Sequence, residues 1–247
     1  MTSLSGSCTI VTGASRGIGE AIAVAMAKAG ARVALVADSD SSEVCESITR
    51  AGGDAKSYVA DVSDQDQVNK LFKDVLRDFN SFNVLVNNAG VQLERPLLET
   101  DVSDFEWVMG TNARGTFLMG REGIRHMVKQ GSGGRVINIA SDLAYIGREQ
   151  FSVYCASKAA VLSLTKSWAR EFAPDILVNS ICPGPIDTDM LNLENMSPEW
   201  RAKESDIPLK RIGQPEEISE LAVFLAGPGS TFITGQGIGV NGGSVMP

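Results

Sequence analysis

Histidine is almost absent from this 247-residue chain, which carries only His126, in the segment GIRHMVKQG. Serine–histidine–carboxylate triads and histidine-based metal sites are therefore excluded, and we expect His126 to lie at a solvated position near a helix end. Cysteine is also sparse, and its four positions lie far apart with no CxxC pair. Neither a zinc site nor a disulfide framework is predicted, so we expect reduced thiols at Cys8, Cys45, Cys155 and Cys182.

Basic residues are also in the minority among the charged residues. The 22 lysines and arginines are outnumbered by 30 aspartates and glutamates, which gives a formal charge of −8. Nucleic acids and anionic membrane surfaces are polyanions that an acidic protein repels, so we expect a small-molecule ligand instead. No stretch approaches the ~18 apolar residues of a membrane span, and no basic segment followed by an apolar run opens the chain. We expect a cytoplasmic protein.

What the chain does contain is a regular alternation of short apolar runs and longer segments of helical period. The runs are rich in valine and isoleucine and apolar on both faces, which is typical of buried parallel strands, at 8–13, 32–38, 56–62, 83–90, 135–141, 176–184 and 237–243. The segments between them are predicted helices, at 17–29, 41–51, 64–79, 101–129, 152–173 and 215–227. This order predicts an α/β fold: a single domain over 1–247 with a doubly wound, Rossmann-type parallel sheet of about seven strands and helices on both faces.

Three local signals refine this interpretation. The segment 63–66, SDQD, is typical of a helix cap, and Pro215 suits a first helical turn. The longest segment without a clear element is 183–214. A long connection after a late strand lies at the carboxyl side of such a sheet, where ligands bind, so we expect a substrate lid at about 185–214.

One pair of side chains points to proton transfer. Tyr154 and Lys158 stand four residues apart in YCASK, so on a helix they leave the same face about 5–6 Å apart. A fixed cation beside a phenol favours the phenolate, which would let the tyrosine act as an acid or base closer to neutral pH. A half-buried tyrosine with a neighbouring snorkelling lysine is the structural alternative.

A glycine-rich segment points to a dinucleotide. TGASRGIG, residues 12–19, follows the first predicted strand and opens the first helix. Glycines at such a junction let the backbone approach a pyrophosphate, which the helix N-terminus then binds through its free N–H groups. The spacing is GxxxGxG and not GxGxxG, and an ordinary tight turn would also use glycine here.

Together these motifs resemble the short-chain dehydrogenase/reductase family, and most closely its 3-oxoacyl-carrier-protein reductase-like branch. The resemblance covers essentially the whole chain and rests on TGASRGIG, NNAG at 87–90, Ser141 thirteen residues before Tyr154, YCASK, PGPIDT at 183–188, PLKRIGQPEEI at 208–218 and ITGQGIGVNGG at 233–243. Two positions depart from the family pattern, Cys155 within YxASK and Asn241 where aspartate is common, and neither bears on the chemistry.

The resemblance implies hydride transfer between a nicotinamide and a secondary alcohol or ketone. Tyr154 would be the general acid/base, and Lys158 would lower its pKa and bind the nicotinamide ribose. Ser141 would orient the substrate oxygen. Asn112, in GTNARG, would hold a water that links Lys158 to solvent, although an asparagine bonded to backbone at a helix bend is the alternative.

The resemblance also assigns the cofactor-binding residues. The glycine loop would contribute Gly13, Ser15, Arg16 and Ile18. Asp61 and Val62 would meet the adenine edge, Asn88, Ala89 and Gly90 the adenine ribose, and Pro183, Gly184, Ile186 and Thr188 the nicotinamide carboxamide, with Tyr154 and Lys158 completing the set. Asn87 is expected to tie the sheet, and a turn residue is the alternative for Asp61.

The sequence favours NAD over NADP without deciding between them. Asp38 lies 19 residues after Gly19, close to the offset of about 20 at which a carboxylate binds the ribose 2′-hydroxyl of NAD, and Asp40 adds to the negative field. Arg16 could instead bind a 2′-phosphate. Ala37 occupies the position at which many NAD-specific relatives carry their aspartate.

Two other functions stay open. The first is a 3-oxoacyl-carrier-protein reductase of fatty acid synthesis, which the acidity of the chain and Pro174-Asp175 in REFAPDI argue against, since carrier proteins are acidic. The second is a non-catalytic dinucleotide-binding regulator, which generally loses the tyrosine or lysine that this chain retains. The resemblance further implies a homotetramer, and we take the apolar character of 152–173 as support.

Overall fold

The sheet has the predicted architecture. The computed structural model describes residues 3–247, and their seven strands form one parallel sheet in the order β3-β2-β1-β4-β5-β6-β7. The chain therefore adopts a single-domain Rossmann-type fold. The strands are β1 (Cys8–Thr12), β2 (Arg32–Ala37), β3 (Ala55–Val59), β4 (Val84–Asn87), β5 (Gly134–Ile139), β6 (Ile176–Pro183) and β7 (Gly237–Val240).

The helices begin where their capping residues stand. The Asp64 carboxylate accepts hydrogen bonds from the backbone N–H groups of Asp66 and Gln67, and Pro215 occupies a first turn, so both predicted starts are confirmed. The helices are α1 (Gly17–Lys28), α2 (Ser42–Arg50), α3 (Gln65–Phe79), α4 (Val102–Met109), α5 (Thr116–Gln130), α6 (Ser152–Phe172), α7 (Pro198–Ser205) and α8 (Pro215–Ala226).

Two apolar layers hold the helices to the sheet, one on each face. Adjacent residues of β1 enter opposite layers, because successive strand side chains point to opposite faces: Ile10 packs with α3, α5 and α6, and Val11 with α1, α2 and α8. A Cβ atom at Gly120 of α5 would lie 2.3 Å from the ring of Trp168 of α6, so glycine permits the close approach of these two helices.

Two predicted elements are corrected. The segment 101–129 is not one helix, because a π-helical turn, Gly110–Gly115, separates α4 from α5. The segment 183–214 is not without structure, because it contains α7, which begins after Ser197, whose hydroxyl oxygen accepts a hydrogen bond from the backbone N–H of Trp200. Its Ser-Pro-Glu start is a cap signal that sequence analysis passed over.

The expectation for His126 is correct in its place near a helix end and wrong in its exposure. The imidazole lies within α5, half-buried, with its ring centroid 5.6 Å from that of Phe72 and 6.4 Å from that of Phe82. Burial lowers its pKa. His126 is therefore a packing residue at the edge of the core.

Residues 3–247 contain neither a candidate membrane span nor a candidate metal site. None of their helices has the length and apolar character that crossing a membrane requires. No group of three or more histidine, cysteine, aspartate or glutamate side chains in that range is arranged to hold a metal ion.

Candidate active site

A crevice opens where the strand order reverses. β1 lies between β2 and β4, so the connections that leave β1 and β4 diverge to opposite faces of the sheet. Ligands of open α/β sheets bind at the carboxyl ends of strands at such a point. The crevice here has a volume of about 1360 Å³, and its lining includes the glycine loop after β1, the loop after β4 and the start of α6.

The glycine loop is folded tightly against the loop that follows β4. The Thr12 hydroxyl accepts hydrogen bonds from the backbone N–H groups of Asn88 at 2.9 Å and Ala89 at 3.0 Å. A Cβ atom at Gly13 would lie 2.8 Å from the Asn88 side-chain nitrogen, and one at Gly19 would lie 2.0 Å from the Gly13 carbonyl oxygen. Only glycine fits at these two positions, and the cradle that results opens the N-terminus of α1 toward the crevice.

Tyr154 and Lys158 share one face of α6, as predicted, and both line the crevice. Their side chains are 8% and 5% exposed. The Lys158 ammonium donates a 2.9 Å hydrogen bond to the carbonyl oxygen of Ile139 and lies 5.7 Å from the centroid of the Tyr154 ring. Ser141, two residues after β5, lines the same wall.

The two titratable side chains shift in opposite directions for the same reason. Burial raises the pKa of Tyr154 to about 12, with a smaller opposing effect from the Ser141 hydroxyl. Burial lowers the pKa of Lys158 to about 8. In this geometry desolvation dominates the pKa of Tyr154 and the ammonium is bonded to Ile139, so the lowering by Lys158 that the resemblance implies for the cofactor-bound protein stays a prediction.

Asn112 plays a supporting part in this arrangement. Its side-chain amide donates to the carbonyl oxygen of Val91 and to the hydroxyl of Ser157, both at 2.9 Å, and its side-chain oxygen accepts from the Val91 N–H. Asn112 is 1% exposed and does not line the crevice. The π-helical turn directs this side chain into the protein, where it makes the backbone bonds that the alternative describes. The water-holding role stays a prediction.

Every predicted cofactor-binding residue lines the crevice. Asp61 also serves as a turn residue, since its carboxylate accepts the backbone N–H of Ser63 at 2.8 Å. Asn87, assigned to the sheet, donates to the side-chain oxygen of Asn138 at 2.8 Å, which confirms that assignment.

The residues proposed to select the nucleotide differ in placement. Asp38 follows β2 directly, is exposed and lines the crevice, whereas Ala37 is buried within the strand. Arg16 lies 3.8 Å from the carboxylate of Asp189, and both side chains are largely exposed. The Asp40 carboxylate accepts two hydrogen bonds from Ser42 at the start of α2 and is not part of the crevice wall.

Sequence analysis missed three charged residues at the other end of the crevice. Asp142 is 8% exposed; its carboxylate accepts the Ser141 hydroxyl at 3.1 Å and the Ser244 hydroxyl at 2.6 Å. Arg148, in the loop before α6, forms an ion pair with Glu204 of α7. Asp142 directly follows the Ser141 motif, which is a usable signal, but nothing local links positions 148 and 204.

Comparison with known proteins agrees with the geometry. A family model described as enoyl-(acyl carrier protein) reductase matches residues 13–245. The chain is 39% identical over 251 residues to a 3-oxoacyl-[acyl-carrier-protein] reductase of Synechocystis sp., with 100% of both sequences covered.

Solved structures extend the same result. A short-chain type dehydrogenase/reductase from Mycobacterium marinum is 38% identical, with a TM-score of 0.94 over 99% of this chain and 98% of that one. A structure from Beutenbergia cavernae with NADP bound at low occupancy is 34% identical, with a TM-score of 0.93 over 97% of each chain. With the glycine cradle and the Tyr154–Lys158 face in one crevice, these likenesses place the chain in the short-chain dehydrogenase/reductase family, as an NAD(P)-dependent oxidoreductase.

Proposed function

We propose that this protein transfers a hydride between a nicotinamide and a secondary alcohol or ketone of a small molecule, with Tyr154 as the general acid/base. One observation carries the proposal: Ser141, Tyr154 and Lys158 meet on the wall of the crevice that the glycine loop also lines. Reaction site and nucleotide cradle therefore share one cavity.

The residues present fit a dinucleotide, since glycine at positions 13 and 19 lets the loop pack closely and the first turn of α1 lines the crevice. When bound there, the nicotinamide supplies the hydride or accepts it. The N-terminus of α1 would hold the pyrophosphate, and the remaining predicted contacts would hold the adenosine and carboxamide ends.

The proton chemistry belongs to the chain itself. During reduction the Tyr154 phenol would donate its proton to the substrate oxygen, and during oxidation the phenolate would accept it. Ser141 would hold that oxygen by a hydrogen bond. Lys158 would bind the ribose hydroxyls and favour the phenolate, and Asn112 would keep the Val91 loop and α6 in place while its turn holds the water that connects Lys158 to solvent.

A direct assay tests the proposal. The protein is mixed with NADH or NADPH and a broad panel of ketones, and the nicotinamide absorbance is followed. Oxidation of the cofactor by at least one ketone, lost in Tyr154→Phe, is the expected result. Cofactor binding with flat traces across the panel would support the non-catalytic regulator instead.

We further propose NAD as the preferred cofactor. Asp38 lines the crevice directly after β2, where a carboxylate would bind the 2′-hydroxyl of NAD and repel a 2′-phosphate. The competing cation, Arg16, faces Asp189, which reduces its availability to a phosphate.

The second candidate is reduction of a 3-oxoacyl group on a carrier protein. The names of relatives such as those of Synechocystis sp. and Aquifex aeolicus, the latter 36% identical, favour it. Comparing kcat/KM for a 3-oxoacyl-carrier-protein and for its small ester analogue separates the two: a carrier preference above about a hundredfold would identify the carrier protein as partner.

The segment 185–214 is proposed as the substrate lid. Met190, Leu191, Met196 and Trp200 of this segment line the crevice. Their apolar character would exclude water from the reacting atoms once the substrate is bound.

We also propose a cytoplasmic homotetramer. The large apolar residues of α6 face the core and do not support assembly. Support comes instead from two other regions with exposed apolar side chains: Val102 and Phe105, one turn apart on α4, and Phe224 with Phe232 near the C-terminal end of α8. Two distinct self-complementary contacts suffice for a tetramer of dihedral symmetry.

The proposed cytoplasmic location is supported by the four free thiols, which agree with a reducing compartment.

A further inference from the structure

The substrate end of the crevice contains a guanidinium that is already neutralised. Arg148 forms an ion pair with Glu204 of α7, and the two side chains are 22% and 9% exposed. The guanidinium carbon also lies 4.8 Å from the ring centroid of Phe151 and 5.5 Å from that of Trp200. Ion pair and aromatic rings together leave Arg148 little freedom to turn toward another anion.

Further carboxylates surround the same guanidinium. Burial lowers the pKa of Arg148, but the carboxylates of Glu204, Glu94 and Asp142 raise it above its ordinary value. Asp142 and Glu94 both line the crevice. Arg148 is thus one positive charge among three acidic side chains.

The other cations of the crevice wall lie beside Tyr154 or beside the proposed nucleotide-binding residues. Lys158 is bonded to Ile139 beside Tyr154. Arg16 belongs to the glycine loop and lies 3.8 Å from the exposed carboxylate of Asp189, and Arg114 directly precedes Gly115, which lies against Val62 at the proposed adenine end. The crevice wall also includes a further carboxylate, Glu106, and apolar or neutral residues such as Val91, Gln92, Leu143, Asn195 and Met196.

We propose that the site selects a ketone or secondary alcohol that carries no negative charge near the reacting carbon, an inference that rests on the proposed function. Glu204 enforces this selection by neutralising Arg148. Esters, thioesters and neutral polyols satisfy the condition. Carboxylate-bearing ketones and aldonates do not, because they meet the net negative field of Glu94 and Asp142 without a free cation.

Glu204→Gln tests the assignment because it removes one negative charge and leaves Arg148 available. The probes are 4-oxopentanoate and its uncharged isostere 4-oxopentanamide. Their dissociation constants are measured by tryptophan fluorescence and ligand-observed NMR in the presence of saturating NAD⁺, with which a ketone forms a complex but does not react.

We expect the native protein to bind the amide at least about tenfold more tightly than the carboxylate. Glu204→Gln should tighten carboxylate binding about tenfold or more, since a freed guanidinium in a partly exposed site attracts an anion by roughly that factor. Amide binding should change less than threefold.

Three variants control for side effects. Glu149→Gln makes the same charge change beside Arg148, but Glu149 pairs with Lys203 at 3.2 Å on the surface and does not line the crevice, so its effect should stay within twofold. The double variant Arg148→Gln/Glu204→Gln should lose the gain in carboxylate binding. Arg148→Gln alone should weaken carboxylate binding and tighten that of the cationic 4-(dimethylamino)butan-2-one.

The outcomes separate this inference from the proposed function. Equal native binding of amide and carboxylate, no gain in Glu204→Gln, or a gain that persists in the double variant would each overturn the selection by charge. If the selection holds but no ketone of the assay panel oxidises NADH or NADPH, the proposed reaction fails while the charge selection stands. If the protein turns over 4-oxopentanoate as fast as the amide, the proposed reaction stands and the charge selection fails.

Discussion

The ammonium of Lys158 is bonded at 2.9 Å to the carbonyl oxygen of Ile139, the residue at which β5 ends. This contact fixes the lysine of α6 to the carboxyl edge of the sheet, where the nucleotide is proposed to bind. Burial at that edge lowers the pKa of Lys158 to about 8. The charge proposed to bind the ribose is therefore titratable in an accessible pH range.

Cofactor affinity should fall as the pH rises through about 8. Below that value Lys158 is protonated and donates charged hydrogen bonds, and above it the neutral amine binds the ribose more weakly. We expect the dissociation constant for NAD to increase several-fold between pH 7 and 9.5 in isothermal titrations. Lys158→Met should bind weakly at all pH values and show a flat profile, whereas Lys166→Met, exposed on the same helix, should keep the native profile.

Tyr154→Phe should lower turnover by about 10²–10⁴ while dinucleotide binding stays within a few-fold, because the ring is kept and only the acid/base group is lost. Steady-state kinetics and a binding titration measure the two quantities. Tyr145→Phe is the matched control: its hydroxyl bonds to the Gly237 carbonyl oxygen and it does not line the crevice, so turnover should change less than threefold. Retention of more than about a tenth of native turnover in Tyr154→Phe would remove Tyr154 from the role.

Asp38→Ser should shift cofactor preference toward NADP by about ten- to a hundredfold in the ratio of kcat/KM values. The reason is the loss of one charge facing the 2′-phosphate, worth roughly 1–3 kcal/mol at a site open to solvent. Asp40→Ser makes the same charge change two residues later, outside the crevice wall, and should alter the ratio less than threefold. A native preference for NADP, or equal effects of the two substitutions, would show that Asp38 is not the selector.

Asn112→Ala should lower the free energy of unfolding by about 2–4 kcal/mol. The substitution strands the buried polar groups of Val91 and Ser157, each of which costs about 1–3 kcal/mol when left unpaired. Urea unfolding followed by circular dichroism measures the change. Asn69→Ala, at a half-buried position of α3 where the side-chain oxygen accepts one hydrogen bond from Gln65, should cost about 1 kcal/mol or less. An equal loss in both variants would contradict the supporting role of Asn112.

Light scattering at micromolar concentration should give about four times the chain mass of 26.2 kDa. Phe105→Glu and Phe232→Glu should each reduce this to a dimer, since each places a charge in one of two distinct apolar contacts. A native mass of one chain would contradict the assembly, and a tetramer that survives both substitutions would show that other surfaces form it.

Much of the fold could be predicted because its signals are local. Runs such as RVALVA at β2 are apolar on both faces, which only a strand covered on both sides tolerates. Asp64 and Pro215 mark helix starts through bonds and backbone angles within one turn. The glycine loop and the four-residue spacing of Tyr154 and Lys158 are of the same kind, so the crevice wall around them could be assigned to a function from the sequence.

What failed depends on partners distant in the chain. The π-helical turn contains Asn112, whose side-chain amide donates hydrogen bonds to Val91 and Ser157, 21 and 45 residues away. His126 is half-buried because Phe72 and Phe82 of other elements pack on it. The rise of the Tyr154 pKa on burial could not be predicted for a related reason: spacing on a helix gives proximity to Lys158, whereas desolvation depends on everything that covers the site.

The sequence by itself determined the parallel α/β fold, the dinucleotide loop and the tyrosine–lysine pair, because each is written in periodicity or spacing over fewer than about twenty residues. Only the tertiary structure decided the charge of the substrate end. Arg148 and Glu204 are 56 residues apart, and their pairing exists because α7 folds back over the loop before α6. A side chain's net charge environment is a sum over all neighbours in space, and no local pattern of residues carries that sum.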